Sequence, residues 1–205
     1  KKLNKIGYKN IEMKSICRWH SMNKNLKYYI LPPLNEMAQE FDSYSKKKDK
    51  WFDVAIDTGV IISDKKSNTK HLILSDNSPY NLKSLKKHCS NLKINSFWFP
   101  YNGFASDYPL CYDNMTTSQK KKKSLEMSLK RESATLKAIK FIKPDYLVPH
   151  SSDFYLSGPR SKEFFKVHDK NFLDKSLYAK RIEKLTGIKS LALYSKDCLV
   201  FKKND

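Results

Sequence analysis

Short apolar runs alternate with lysine-rich and asparagine-rich segments along the chain, and several of these runs end at a turn residue. Residues 52–63 and 70–75 are two such runs separated by a short polar turn, a pattern that predicts a β-hairpin of buried strands. Residues 94–100 form a third run, which ends on proline and predicts another strand. The apolar pattern therefore predicts several short strands connected by polar segments.

Other segments carry their apolar residues at helical spacing. Residues 82–92 and 174–185 place lysines opposite the apolar positions, which is typical of amphipathic surface helices. Residues 115–143 form the longest such segment, and Pro144 ends it before a predicted strand at residues 146–148. The last hairpin is predicted at residues 191–201. The buried stripe of the long helix is predicted to consist of Leu125, Leu129, Leu136, Ile139 and Ile142.

The length and the apolar content are those of a globular protein. The chain has 205 residues, of which 40% are hydrophobic and 13% aromatic, so it can fill an ordinary core. No stretch approaches the roughly 18 consecutive apolar residues of a membrane span. The first residues also lack the apolar core of a signal peptide. We therefore expect a cytoplasmic protein with no membrane partner.

The net charge of +19 suggests an anionic partner. Only four of the 40 basic residues are arginines, and the lysines are spread over the whole chain. A nucleic-acid groove more often uses arginine forks and stacking aromatic side chains than diffuse lysines. A small anionic substrate is therefore the main expectation, and a basic nucleic-acid-binding module is kept as an alternative.

Three residues with ligand chemistry follow or lie near predicted strands. Asp76 ends the run at residues 71–75, and His20 and His150 occupy similar positions after other apolar runs. Two imidazoles and a carboxylate form a ligand set for a divalent cation, so we expect the three side chains to converge within about 10 Å. Two structural alternatives remain open. Asp76 is also a candidate cap of the following helix, and His20 a candidate surface residue beside Trp19.

Several short motifs are similar to those of one hydrolase superfamily. They are Arg18-Trp19-His20-Ser21, Leu74-Ser75-Asp76-Asn77, Tyr101-Asn102-Gly103, Tyr108-Pro109-Leu110-Cys111-Tyr112 and the segment Pro144 to His150. On these motifs, residues 3–156 resemble the C-terminal half of a metallo-β-lactamase-fold hydrolase. The most similar branch contains the ascorbate-6-phosphate lactonase-like proteins and the CMP-sialic acid and UDP-muramic acid hydroxylases.

The resemblance implies an α+β fold, namely the αββα sandwich of that superfamily. The superfamily's His-x-His-x-Asp-His signature is absent from the 205 residues, so we expect residues 1–205 to form a single domain that is only the C-terminal half of the sandwich. Half a sandwich leaves one sheet face uncovered. Phe97, Phe99 and Ile73 are therefore expected to be less buried than in a complete domain.

The resemblance also implies a metal-dependent hydrolase whose metal-activated water attacks an anionic, sugar-derived substrate. Zinc is the expected cation, with manganese and iron as alternatives. The implied metal ligands are His20, Asp76 and His150, of which Asp76 and His20 are also the catalytic residues. Asp153 is the alternative to His150 as a ligand. The implied substrate-binding residues are Tyr101, Asn102, Tyr108 and Asp153.

The hydroxylase branch implies a different function, a substrate-binding domain of a sugar-nucleotide hydroxylase-like protein. There the partner is an iron–sulfur domain, because four scattered cysteines cannot supply the cluster. For the hydrolase the expected partner is the missing N-terminal half. The sequence leaves open whether these 205 residues are active alone.

Overall fold

The computed structural model describes residues 14–32, 34, 58–75, 79–101, 113–150 and 161–201. Within them one mixed sheet has its six strands in chain order. The strands are β1 (Trp19–Ser21), β2 (Leu26–Ile30), β3 (Val60–Asp64), β4 (Thr69–Ile73), β5 (Ser96–Pro100) and β6 (Tyr146–His150). The helices are α1 (Leu82–Cys89), α2 (Thr117–Ile142), α3 (Ser161–Val167), α4 (Lys170–Leu173) and α5 (Lys175–Thr186).

The connections between the strands decide their directions. Strands β1 to β4 pair antiparallel, whereas β4, β5 and β6 pair parallel. A short turn suffices between β3 and β4, but a parallel pair requires a longer crossover, which contains α1 between β4 and β5 and α2 between β5 and β6. The predicted α+β class is confirmed, and so is the predicted hairpin at Val60–Asp64 and Thr69–Ile73. Residues 52–57 of its predicted first run lie outside the described residues.

Local side chains set the ends of the two crossover helices. The Asn81 side chain caps α1 by accepting a hydrogen bond from the backbone N–H of Ser84 at 3.0 Å. Thr116 and Gln119 form a reciprocal capping box at the start of α2. The same helix ends at Lys143, whose left-handed backbone stops it directly before Pro144.

Helices cover one face of the sheet. Leu72, Phe97 and Phe99 point to that face and have no exposed surface, so the prediction that both phenylalanines are underburied is wrong. Ile73 points to the opposite face because neighbouring strand residues alternate, and it is only half-buried. The core beneath the helices also includes Leu31, Ile61, Leu74, Leu85, Ile94, Ile139, Leu147, Tyr178 and Ile182.

The predicted apolar stripe of α2 is correct in its second half and wrong in its first. Ile139 and Ile142 are buried, but Leu125 and Leu129 are 39% and 44% exposed. Between residues 120 and 132 the helix instead buries polar side chains. These buried residues are Lys120, Ser124, Ser128 and Glu132. Lys120 bonds to Glu163 on α3, Ser124 to His168 just after α3, and Glu132 to Arg181 on α5.

The hairpin predicted for residues 191–201 does not form. The backbone of Leu147 bonds to Lys189 and Leu191 at 2.9 and 2.8 Å, which makes only an isolated bridge. Further along, the Phe201 ring packs on the His71 ring with a centroid distance of 4.7 Å. Apolar residues of this segment therefore cover the sheet without extending it. No helix among the described residues is both long and apolar enough to cross a membrane.

Candidate functional site

The parallel strands β4, β5 and β6 end at the same edge of the sheet, where α/β and α+β proteins commonly place functional loops. Leu74 and Ser75 follow β4, Tyr101 follows β5, and His150 is the last residue of β6. His150 is therefore at the edge where the chain continues toward Asp76. Asp76 itself lies outside the described residues.

A proline at the end of β5 explains the position of the His150 ring. Leu74 donates its N–H to Trp98 O at 2.9 Å, as a regular parallel ladder requires. The next ladder bond would come from the N–H of Pro100 to the carbonyl of Leu74, but proline has no N–H. His150 Nε2 lies 2.6 Å from this carbonyl oxygen and supplies the missing hydrogen bond across the end of β5.

This hydrogen bond assigns the tautomer of His150. A carbonyl oxygen only accepts, so Nε2 carries the proton and Nδ1 carries the lone pair in the neutral ring. Metal-binding histidines commonly donate their second ring N–H to a backbone carbonyl, which fixes the ring. This hydrogen bond is therefore compatible with a metal ligand as well as with a structural role.

His20 lies far from His150. It is on β1, the outermost strand on one side of the sheet, whereas His150 is on β6, the outermost strand on the other side. Five strand spacings of ~4.8 Å place these two strands about 24 Å apart. The prediction that His20 and His150 converge is wrong, because strand order puts the whole sheet between them. The His20 ring donates from Nε2 to Ser15 O at 2.8 Å and lies 5.2 Å from the Tyr28 ring.

Tyr101 is a buried residue directly after β5, at the C-terminal ends of the parallel strands. Its hydroxyl donates to Leu173 O at 3.3 Å, and its ring stacks on Tyr178 with centroids 5.5 Å apart. It is only 5% exposed. These contacts join the end of β5 to α4 and α5, and a role in substrate binding stays a prediction.

Asn102, Tyr108 and Asp153 lie outside the described residues, as Asp76 does. Among the residues that are described, no three histidine, cysteine, aspartate or glutamate side chains come together as a metal-binding group. The N-cap of α1 is Asn81, so the alternative that Asp76 caps this helix is excluded.

A chain of hydrogen bonds around His71 was not anticipated from the sequence. Trp98 Nε1 and His71 Nδ1 both bond to Ser96 Oγ, each at 2.8 Å. On the other side His71 Nε2 lies 3.0 Å from Thr69 Oγ1. The chain continues through Ser67 to the carboxylate of Asp64 with distances of 2.7 and 2.8 Å.

The two ends of this chain determine its direction. A carboxylate only accepts, so Ser67 donates to Asp64, Thr69 donates to Ser67, and His71 Nε2 carries a proton that it donates to Thr69. In the neutral ring, Nδ1 then accepts from the Ser96 hydroxyl, which in turn accepts from the Trp98 indole N–H. Burial lowers the pKa of His71, which the Asp64 carboxylate opposes. The backbone N–H of Lys66 and the Ser67 hydroxyl lower the pKa of Asp64. The alternation that places Thr69 and His71 on one strand face was the available signal, but Ser96 joins only through strand pairing.

A comparison with solved structures gives a distant similarity. No family model matches the chain, and no curated protein matches it. It is similar to the crystal structure of a protein from Parabacteroides distasonis ATCC 8503 that is named as a candidate metal-dependent hydrolase, with a TM-score of 0.43 and 17% identity. The match covers 92% of this chain and 59% of that protein, so this chain spans less than two thirds of its length. Neither a fold family nor a function follows from so distant a similarity.

Proposed function

We propose that this chain contributes Asp76 and His150 to the metal centre of a hydrolase of the metallo-β-lactamase superfamily. The observation that carries the proposal is the 2.6 Å hydrogen bond from His150 Nε2 to Leu74 O. It holds the histidine at the strand edge from which the chain leads, two residues after Leu74, to Asp76. The motif resemblance at residues 74–77 and 144–150 supports the same pair.

The chemistry of these side chains suits an anionic substrate and a hydrolytic reaction. A divalent cation bound there would supply hydroxide near neutral pH by lowering the pKa of a bound water. The Asp76 carboxylate is a suitable cation ligand, and the Leu74 carbonyl would keep the His150 ring oriented. The net charge of +19 would attract anionic substrates, among which we favour sugar-derived esters and lactones. His20 is not part of this centre.

The test is Asp76→Asn in the full-length protein. Asparagine keeps the shape of the side chain but removes its charge, so bound zinc, manganese or iron and the hydrolysis of esters, lactones and phosphodiesters should fall about a hundredfold. Elemental analysis and initial rates measure the two effects. Asp113→Asn is the matched control, because Asp113 is an exposed aspartate. Unchanged metal content and turnover in the Asp76 variant would contradict the proposal.

A second variant separates metal binding from the structural role of His150. In His150→Gln the side-chain amide retains an N–H donor for Leu74 O but lacks the imidazole lone pair. We expect near-normal stability and a tenfold or greater loss of bound metal. If bound metal and stability are both retained, His150 serves the sheet alone and is not a ligand. If the parent protein itself binds no metal, the alternative of a substrate-binding domain without its own metal is favoured.

A further inference from the structure

In the first half of α2 polar side chains are buried and leucines are exposed, which is the reverse of an ordinary amphipathic helix. The buried side of α2 contains Lys120, whose Nζ lies 2.8 Å from Glu163 Oε1. One turn later Ser124 Oγ lies 2.6 Å from His168 Nδ1. Glu132 accepts two hydrogen bonds from Arg181. Because these polar contacts occupy the inner side, the helix is oriented with two leucines toward solvent.

The solvent side of α2 combines those leucines with lysines. We define the outer face of α2 as Lys122, Leu125, Leu129, Lys130, Lys137 and Lys140. All six residues are exposed. At 100° per residue they fall within about 140° of arc, and they extend over roughly 27 Å of helix. Glu126 is an exposed acid between them, and Lys123 Nζ lies 3.4 Å from its carboxylate.

Helix α1 extends this basic surface sideways. Lys83, Lys86 and Lys87 are all exposed, and α1 contains no acidic residue. The two helices are in contact, since Lys86 Nζ lies 5.6 Å from the centroid of the Phe141 ring. The lysines of α1 and α2 therefore form one positive surface beside an exposed leucine pair.

We propose that this surface binds the headgroup region of an anionic lipid bilayer. Lysines near a bilayer are attracted to anionic lipids, and leucines between them can enter the interface. Exposed leucines would contribute little to binding a nucleic-acid backbone. The six residues of the outer face and the three lysines of α1 include no arginine, and the neighbouring Tyr80 and Phe141 rings lie against Lys130 and Lys86. The proposed contact is peripheral and needs no spanning helix. It departs from the expectation that the chain has no membrane partner.

The test measures partitioning of the whole chain onto vesicles by co-sedimentation. Vesicles of phosphatidylcholine containing about 30% phosphatidylserine should bind it, and pure phosphatidylcholine should not. Replacing Lys130, Lys137 and Lys140 by glutamine should lower the partition coefficient about a hundredfold, because each adsorbed lysine contributes about fivefold. Leu125→Ser with Leu129→Ser should lower it about tenfold while leaving its salt dependence unchanged.

The control removes the same charge from another surface. Lys162, Lys166 and Lys180 are exposed on α3 and α5, and their replacement by glutamine should change partitioning less than about threefold. Circular dichroism checks that each variant is folded. Equal losses of vesicle binding in the two lysine variants would overturn the proposal, because binding would then depend on the total charge and not on this surface. No effect of the leucine variant, or binding to double-stranded DNA without binding to vesicles, would overturn it in favour of another polyanion.

Discussion

His150 donates from Nε2 to the backbone oxygen of Leu74, which Pro100 leaves without its ladder donor. The ring of one edge strand thus completes the hydrogen bonding of a strand two positions away. Such a bond is worth about 1 kcal/mol net, and an unsatisfied buried carbonyl costs about 1–3 kcal/mol. The relationship therefore predicts a measurable coupling between positions 100 and 150.

We expect His150→Ala to lower the free energy of unfolding by about 1–2 kcal/mol, because Leu74 O loses its donor. Pro100→Ala adds an N–H at the position from which the parallel ladder would bond Leu74 O. In that background His150→Ala should cost less than half as much. Urea unfolding of the two single variants and the double variant measures the coupling. Additive costs would show that His150 does not substitute for the missing ladder bond.

Gly59 is predicted to be intolerant of any side chain. A Cβ at this position would lie 2.8 Å from Leu74 Cδ2 and 3.1 Å from Ile73 O, and the backbone oxygen cannot move without disturbing β4. Gly59→Ala should therefore destabilise the protein by about 1–3 kcal/mol. Thermal melts compare it with Gly187→Ala, which meets no atom within 4 Å but has a φ of +71°. The Gly187 variant should cost only about 1 kcal/mol from backbone strain.

Stability is predicted to fall in acid because of His168. Burial lowers the pKa of this 5% exposed histidine from 6.5 to about 4. In the unfolded chain His168 therefore binds a proton below about pH 6.5, whereas in the folded chain it stays neutral down to about pH 4. The resulting stability is complete above pH 6.5 and is lost as the pH falls toward 4, which amounts to roughly 2 kcal/mol at pH 5.

The variant His168→Gln should remove that loss between pH 7 and pH 5, as measured by urea unfolding at the two values. Burial also lowers the pKa of His71 and His88, so a smaller dependence of the same sign should remain. His20→Gln is the control, because this residue is not fully buried. A pH dependence that is the same in His168→Gln and in the parent protein would contradict the assignment.

The pair of Glu132 and Arg181 is predicted to couple α2 to α5. Glu132 is 5% exposed and accepts from Arg181 Nε and Nη2 at 2.7 and 2.8 Å. Arg181→Met should destabilise the protein by about 2–3 kcal/mol, because it leaves a buried carboxylate unpaired. Adding Glu132→Leu should recover at least half of the loss, since the remaining pair is apolar. Recovery is measured by chemical unfolding, and its absence would show that the bidentate geometry itself stabilises the contact.

Local sequence determined where α1, α2, α5 and the β3–β4 hairpin lie, although the strands that it predicted at residues 191–201 do not form. The caps Thr116 and Asn81, Pro144 after α2 and the Gly187 stop after α5 act within a few residues, so their effect can be predicted without knowing the fold. The apolar runs at residues 52–63 and 70–75, separated by a short polar turn, likewise predict a hairpin. In each case the physical cause is a hydrogen bond or a side-chain period that lies within one segment.

Contacts between distant segments decided what the candidate site contains. The order of strands separates His20 from His150, and no local pattern shows that order. Pairing of β4 with β5 brings Pro100 opposite the position where Leu74 needs a donor, and only then does His150 acquire its partner. Leu125 and Leu129 match a buried stripe by spacing, yet the partners Glu163, His168 and Arg181 turn the polar side of α2 inward. Spacing alone specifies two possible faces of that helix, and charge pairing with α3 and α5 selects between them.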